Sequence, residues 1–241
     1  MLVIGHRGAA GHVDENTVAS IRHAVACGVD GIEFDVRLLD GALILLHDAT
    51  LERTTDGRGS YKDLDLTALR RLRTRQGHPV PLLAEALEVV ADLCLVNVEV
   101  KEAGIADEVV TALDAWYRGR AADQARVLLS SFDRRTTAAL AKRRGRMRIG
   151  ILYDDEPFEA ALRRAVDLEA WSVHLPIAQV EQHRIEAVHA LGLAAYVYTV
   201  NSVPQMARCH ACGVDGVFSD FPDRVRAYLR TLPIPEEADH Q

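Results

Sequence analysis

His6 and Arg7 stand at the end of a short apolar run, Leu2-Val3-Ile4, and His47-Asp48 end a second, Leu43 to Leu46. Imidazole titrates near neutrality, so two of them can take a proton from an attacking oxygen and give one to a departing alkoxide. Cleavage of a phosphodiester needs both transfers. Glu33 and Asp35 are two residues apart, which on a strand places both carboxylates on one face. Glu99 ends another run, Leu95-Val96-Asn97-Val98-Glu99-Val100-Lys101, whose polar residues alternate with valines. Any one of these acids alone reads as a polar strand end paired with an arginine. All three together read as ligands for a hard divalent cation, Mg²⁺ or Ca²⁺, because carboxylate oxygens suit those ions better than zinc. Arg7 would hold phosphate oxygens as a fork and Lys101 as a point charge. Glu15 could pair with Arg7 and orient it, and Asn16 reads as the cap of the first helix. The other eight histidines read as ordinary hydrogen-bonded side chains, a reading that fits His174 least well.

Such residues act together only if a scaffold brings their strand ends to one rim. A strand-then-helix rhythm runs almost the whole chain. Strands are expected over 2–6, 31–37, 94–100, 126–131, 148–153, 171–175, 193–200 and 214–219. Helices are expected over 16–27, 83–92, 105–118, 133–144, 157–168, 179–190, 202–212 and 222–230. Eight such units predict an α/β fold, a (β/α)8 TIM barrel, whose ligands bind where the strands end. The whole chain, 1–241, reads as one catalytic domain. One region breaks the rhythm: Asp40-Gly41 predicts a hairpin turn and 42–47 a return strand. A small insertion after the second strand, about 41–80, follows with a short basic helix around 66–73. Cys27-Gly28-Val29-Asp30-Gly31 recurs as Cys212-Gly213-Val214-Asp215-Gly216, a helix stop and turn used twice. Residues 231–241 read as a flexible tail.

Composition narrows the functions available. Hydrophobic residues are 49% and charged residues 26% of 241, ordinary for a globular protein with a large core. The net charge of −7 argues against nucleic acid as a partner. No apolar run reaches the ~18 residues of a membrane span, so no stable membrane insertion is expected. The first residues read as a core strand rather than a secretion signal, which predicts a cytoplasmic protein. Cys209 and Cys212 have CxxC spacing but no second cluster, so they read as one face of a helix rather than a zinc site.

His6-Arg7-Gly8, Glu15-Asn16-Thr17, Glu33-x-Asp35-Val36, His47-Asp48, Arg53-Thr54-Thr55-Asp56-Gly57, Glu99-x-Lys101, Thr199-Val200-Asn201 and Gly213-Val214-Asp215-Gly216 occur in that order. From Leu2 to Val225 the chain thereby resembles the glycerophosphodiester phosphodiesterases. The resemblance implies a TIM barrel with a small insertion, and hydrolysis of glycerophosphodiesters to an alcohol and sn-glycerol 3-phosphate. It implies Glu33, Asp35 and Glu99 as ligands of a divalent cation and His6 and His47 as the acid–base pair. Arg7 and Lys101 would bind phosphate, with Glu15 and Asn16 in support. Two departures concern the pocket wall and the helix of the second unit. Tyr198 stands where a tryptophan usually precedes Thr-Val-Asn, and Val80-Pro81-Leu82-Leu83-Ala84-Glu85 replaces a more polar pattern.

The expected partner is a small-molecule glycerophosphodiester, with self-association into a homodimer left open. Rival readings are a lysophospholipase D-like enzyme acting on lysophospholipids and a non-catalytic barrel that only binds phosphodiesters. A Mg²⁺-using barrel lyase is more distant, since Ser130, Ser131 and Pro176 occupy strand ends where it would want a lysine or second base.

Overall fold

The computed structural model describes residues 1–90, 94–118, 120, 123–154 and 156–233. Its strands are β1 (Leu2–Gly5), β2 (Gly31–Leu39), β3 (Ala42–Leu45), β4 (Leu95–Val100) and β5 (Val127–Ser131). β6 (Arg148–Leu152), β7 (Ser172–Pro176), β8 (Ala194–Tyr198) and β9 (Gly216–Ser219) follow. Among the described residues these pair in the order β1-β9-β8-β7-β6-β5-β4-β2-β3, and β1 also pairs with β2. That last pairing closes eight parallel strands into the expected barrel, with β3 hung antiparallel on β2. Around it lie α1 (Val18–Ala26), α2 (Leu66–Arg71), α3 (Leu83–Val90), α4 (Ala106–Tyr117) and α5 (Arg134–Arg143). The ring continues with α6 (Phe158–Asp167), α7 (Gln182–Ala190), α8 (Val203–Ala211) and α9 (Pro222–Arg230).

Strand parity sorts the core into two. Val3, Ile32, Phe34, Val96 and Val98 pack outward against the helices. Ile4, Leu128, Tyr196 and Phe218 meet inside the barrel as a separate cluster. Period-two alternation thus places Glu33, Asp35, Asn97 and Glu99 in the lumen, above that apolar plug.

The strand between β1 and β3 carries the geometry of the site. Ile4 and Gly5 pair with Gly31 and Ile32, whereas Val36 to Leu39 pair with β3. Between these two stretches the edge of β2 has no strand partner, and loop groups fill it. Gly8 N–H donates to the Glu33 carbonyl, and Asp35 N–H donates to the Asn16 side chain. The hairpin forms as read: Asp40 and Gly41 both have positive φ, 50° and 78°, which the tight turn requires. The insertion has its own small core of Leu39, Ile44, Leu46, Leu51, Tyr61, Leu69 and Val80.

Several local expectations need correction. α1 starts at Val18, and its cap is Thr17, whose hydroxyl accepts from Ser20 N–H. Asn16 has φ 55° and turns its side chain to Asp35 instead, so the residue read as a cap belongs to the site. The stretch expected as one helix over 179–190 begins as a 3-10 turn at 177–179, and α7 starts at Gln182. The repeated Cys-Gly-Val-Asp-Gly behaves as read: Gly28 and Gly213 share φ 74°, the left-handed stop of a helix. Asp30 and Asp215 then accept from Val3 N–H and Ala195 N–H on adjacent strands. Residues 91–92 of the helix expected over 83–92 and 234–241 of the expected tail lie outside the described residues.

Candidate active site

The barrel mouth holds a cavity of about 230 Å³ whose polar wall includes His6, Arg7, Glu33, His47, Asn97 and Glu99. Phe132, Leu152, Tyr198 and Phe218 form its apolar wall. These residues, on or just after eight of the strands, therefore meet at one place.

Glu33, Asp35 and Glu99 offer carboxylate oxygens that all lie within 4.8 Å of one another. Asp35 pairs with Glu99 in the parallel register of β2 and β4, and Glu33 sits one inward-facing position lower. Burial, with Asp35 and Glu99 nearby, pushes the Glu33 carboxyl well above the usual range. Burial and Asp35 likewise raise Glu99. Burial would raise Asp35 too, but Arg7, Lys101, His47 and Asn16 together hold it below the usual carboxylate range. Arg7 Nε is 3.2 Å from Asp35 Oδ2, and Lys101 Nζ is 2.5 Å from Glu99 Oε1 and 3.6 Å from Asp35 Oδ1. Among the described residues Glu33 Oε1 and Asp35 Oδ1 are buried without a hydrogen-bond partner. Two orphaned carboxylate oxygens beside a third acid fit a divalent cation, which would remove the burial cost that no protein donor relieves.

Both imidazoles are held by carboxylates. His6 Nδ1 is 2.7 Å from Asp220 Oδ1, and His47 Nδ1 is 2.6 Å from Asp48 Oδ1. An ionised carboxylate only accepts, so Nδ1 carries the proton and Nε2 is the free nitrogen in each ring. Arg53 and His47 draw the Asp48 carboxyl down to about 2. Burial alone would raise the Asp220 carboxyl, but His6, Asn201 and Arg7 together hold it below the usual carboxylate range. His47 itself is lowered, mainly by burial.

An unbroken chain of ion pairs joins one histidine to the acid trio. Arg53 reaches Asp48 through Nε and Glu15 through both Nη atoms, at 2.6 and 2.8 Å. Glu15 accepts in turn from Arg7 Nη1 at 2.8 Å. Arg7 N–H donates to Glu33 Oε2 at 2.8 Å, with Arg7 itself at φ 51°. Thus Glu15, expected beside Arg7, is there, and the insertion contributes Arg53 to the same network.

Sequence reasoning assigned no role to Asp220, Asn201 or Arg53. Asp220 continues the inward parity of β9 two residues beyond Phe218, a signal that was available. Asn201 donates to Asp220 Oδ2 at 2.6 Å and accepts from Asp220 N–H at 2.9 Å, fixing the carboxylate that holds His6. Tyr198 donates to the Tyr153 carbonyl at 2.7 Å and meets Phe132 edge-on at 6.0 Å, so it serves as wall. Glu85 accepts from Leu82 N–H at 2.8 Å and pairs with Arg70 of the insertion. The CxxC pair is structural: both sulfurs are free thiols, burial pushes Cys209 up to about 12, and among the described residues neither joins a metal-capable cluster. His174 is fully buried on β7, where burial drops its pKa to about 3.

A parallel barrel with two carboxylate-held imidazoles facing three acids and two cations is the architecture of a hydrolytic enzyme. The chain belongs to the glycerophosphoryl diester phosphodiesterase family, whose model matches residues 6–224. It is 34% identical to a glycerophosphodiester phosphodiesterase of Caldanaerobacter subterraneus subsp. tengcongensis, over 95% of this chain and 98% of that one. A Bacillus altitudinis protein of the same name is 31% identical over 92% and 95%. Among solved structures, an Oleispira antarctica phosphodiesterase in complex with the product sn-glycerol-3-phosphate superposes with a TM-score of 0.87, at 27% identity and 96% and 97% coverage. Among the described residues no helix is long and apolar enough to cross a membrane.

Proposed function

We infer that this enzyme hydrolyses glycerophosphodiesters to an alcohol and sn-glycerol 3-phosphate. The observation that carries the reading is the pair of carboxylate-held imidazoles lining one cavity with Glu33 and Glu99, beside which Asp35 completes the acid trio. Support comes from the named relatives and from the product bound by the Oleispira antarctica neighbour.

Glu33, Asp35 and Glu99 hold the divalent cation, Mg²⁺ or Ca²⁺. When bound, the cation supplies Lewis-acid neutralisation of charge on the nonbridging oxygens. Arg7 binds the phosphate with the donors that Glu15 does not use, and Lys101 adds a second positive charge. Of His6 and His47, one takes the proton of the attacking oxygen and the other protonates the departing alkoxide, both through Nε2. Asp220 and Asp48 fix the tautomer and steady the imidazolium that forms. Asn16 holds Asp35 in place.

A panel of glycerophosphodiesters, assayed for released glycerol 3-phosphate with each cation, tests this reading. Turnover that needs a divalent ion and both histidines is expected; full activity in chelator would remove the cation, and activity without either imidazole would overturn the assignment. A lysophospholipase D-like reaction is the second reading, favoured by Phe132, 39% exposed at the apolar wall. Comparing glycerophosphocholine with lysophosphatidylcholine separates the two.

A further inference from the structure

Arg37 is a buried guanidinium with no part in the reaction described above. It lies two residues beyond Asp35 on β2, so it continues the face that carries Glu33 and Asp35. Only 9% of it is exposed, and it is not among the residues lining the cavity. Among the described residues no carboxylate pairs with it. Its donors go to main chain instead. Nη2 donates to the His47 carbonyl at 2.7 Å, and Nε donates to the His47 and Leu46 carbonyls, each at 3.2 Å. Cζ lies 5.5 Å from the ring centroid of Tyr61, in the small core of the insertion.

A buried cation without a countercharge is costly, so its place must be explained by what it binds. What it binds is the segment that delivers His47 to the cavity. β3 ends at Leu45, and Val36 with Leu45 is the last register pair of the hairpin. One more bond, from Leu46 N–H to the Asp35 carbonyl at 3.1 Å, still ties the segment to β2. Beyond it the chain leaves the ladder, and the guanidinium takes up the two carbonyls that follow. Its planar fork reaches both at once, which a single ammonium does not. Asp48 fixes the His47 ring through Nδ1, but it belongs to the same departing segment, and its anchor Arg53 is exposed. Arg37 is seated in the ladder itself, opposite Ile44.

We propose that Arg37 is a positioning residue for His47, clamping the main chain from which the imidazole reaches the cavity. It touches neither substrate nor cation and acts only through where His47 Nε2 stands. A reacting group misplaced by about 1 Å can cost about 100-fold in rate, so loosening this clamp falls on turnover rather than on binding. The inference rests on the acid–base role given to His47 above and adds the residue that sets its place.

A double-mutant cycle on glycerophosphocholine tests the clamp. Arg37→Met keeps an apolar stem and removes every donor. In the wild-type background it is expected to lower kcat about 10-fold, with KM and the apparent affinity for Mg²⁺ unchanged. In His47→Ala there is no imidazole to place, so the same change should move the residual kcat by less than about 2-fold. Arg37→Lys, which can still reach one carbonyl, should recover part of kcat when His47 is present. An equal loss in both backgrounds, a loss that falls on KM or on cation affinity, or no loss at all would overturn the proposal. Should Arg37→Met fail to fold, Arg37→Lys carries the cycle, with a smaller loss of kcat that again vanishes without His47. Failure of the underlying reading looks different: His47→Ala would itself keep wild-type turnover, or no glycerophosphodiester would be cleaved, and the proposal would fall with it.

Discussion

Asn16 and Asp35 exchange two hydrogen bonds across the top of the barrel. Asn16 Nδ2 donates to Asp35 Oδ2 at 2.8 Å, and Asp35 N–H donates to Asn16 Oδ1 at 3.1 Å. The first orients a carboxylate of the acid trio, and the second takes the place of a strand partner. Asn16→Ala removes both. Outer partners of metal ligands typically carry about 10–100-fold in affinity or activity. Titration with Mg²⁺ or Ca²⁺ should show a loss of that order, and a wild-type affinity would contradict the role given to Asn16.

His6→Ala and His47→Ala are each expected to lower kcat by about 10²–10⁴, the usual worth of one positioned proton transfer. Circular dichroism should show both variants folded, since the two rings lie at the mouth and not in the core. The double variant should lose far less than the product of the single effects, because the two residues act in one step. Multiplicative losses would mean that they act separately.

Arg53 is 45% exposed, so its ion pairs add little to stability, and its value is positional. Arg53→Ala frees Asp48 and Glu15 together, and through them His47 and Arg7. We expect kcat/KM to fall about 10-fold, with Arg53→Lys recovering only part because an ammonium cannot bridge both carboxylates. A melting temperature near that of wild type alongside the kinetic loss separates positioning from unfolding.

His174 gives the fold a specific sensitivity to acid. Its folded pKa, about 3, lies below its unfolded value, so the unfolded chain binds the extra proton between them. The contribution of the neutral ring to stability is present above about pH 6.5 and is lost as pH falls towards 3, at about 1.4 kcal/mol per pH unit. Denaturant unfolding of wild type and His174→Leu across this window should differ in slope by that amount, with the variant flatter. Parallel slopes would show that the ring gains its proton without unfolding.

The cation should stabilise the protein as well as serve the reaction. Bound by carboxylates that the unfolded chain does not assemble, a cation at 100 times its Kd would add about 2.7 kcal/mol. Thermal melts should rise with Mg²⁺ or Ca²⁺ and return to baseline in EDTA. In Glu33→Gln that response should shrink.

The ring of strands and the chemistry at its rim were legible in the sequence because both rest on short-range rules. Period-two alternation placed Glu33 with Asp35 and Asn97 with Glu99, and the Asp40-Gly41 turn put His47 beside them. The cap reading of Asn16 and the silence on Asp220 and Arg53 share one cause, contacts between segments far apart in the chain. Asn16 sits where a helix cap belongs, and only the unpaired middle of β2 shows why its amide is drawn away to Asp35. Asp220 is more than two hundred residues from His6, so no local pattern couples them. Arg53 stood among the family motifs, but its two carboxylate partners come from different loops, a contact that depends on how the insertion folds back.

That folding back has a consequence for how the enzyme can change. β3 binds only the outer half of β2 and carries a private core, so the ring is already complete without it. Lengthening or reshaping the excursion alters the shoulder of the mouth while every rung of the cylinder stays in register. Such an enzyme can acquire new tastes in alcohols by editing one appendage, provided the edit preserves His47, Asp48 and the guanidinium of Arg53.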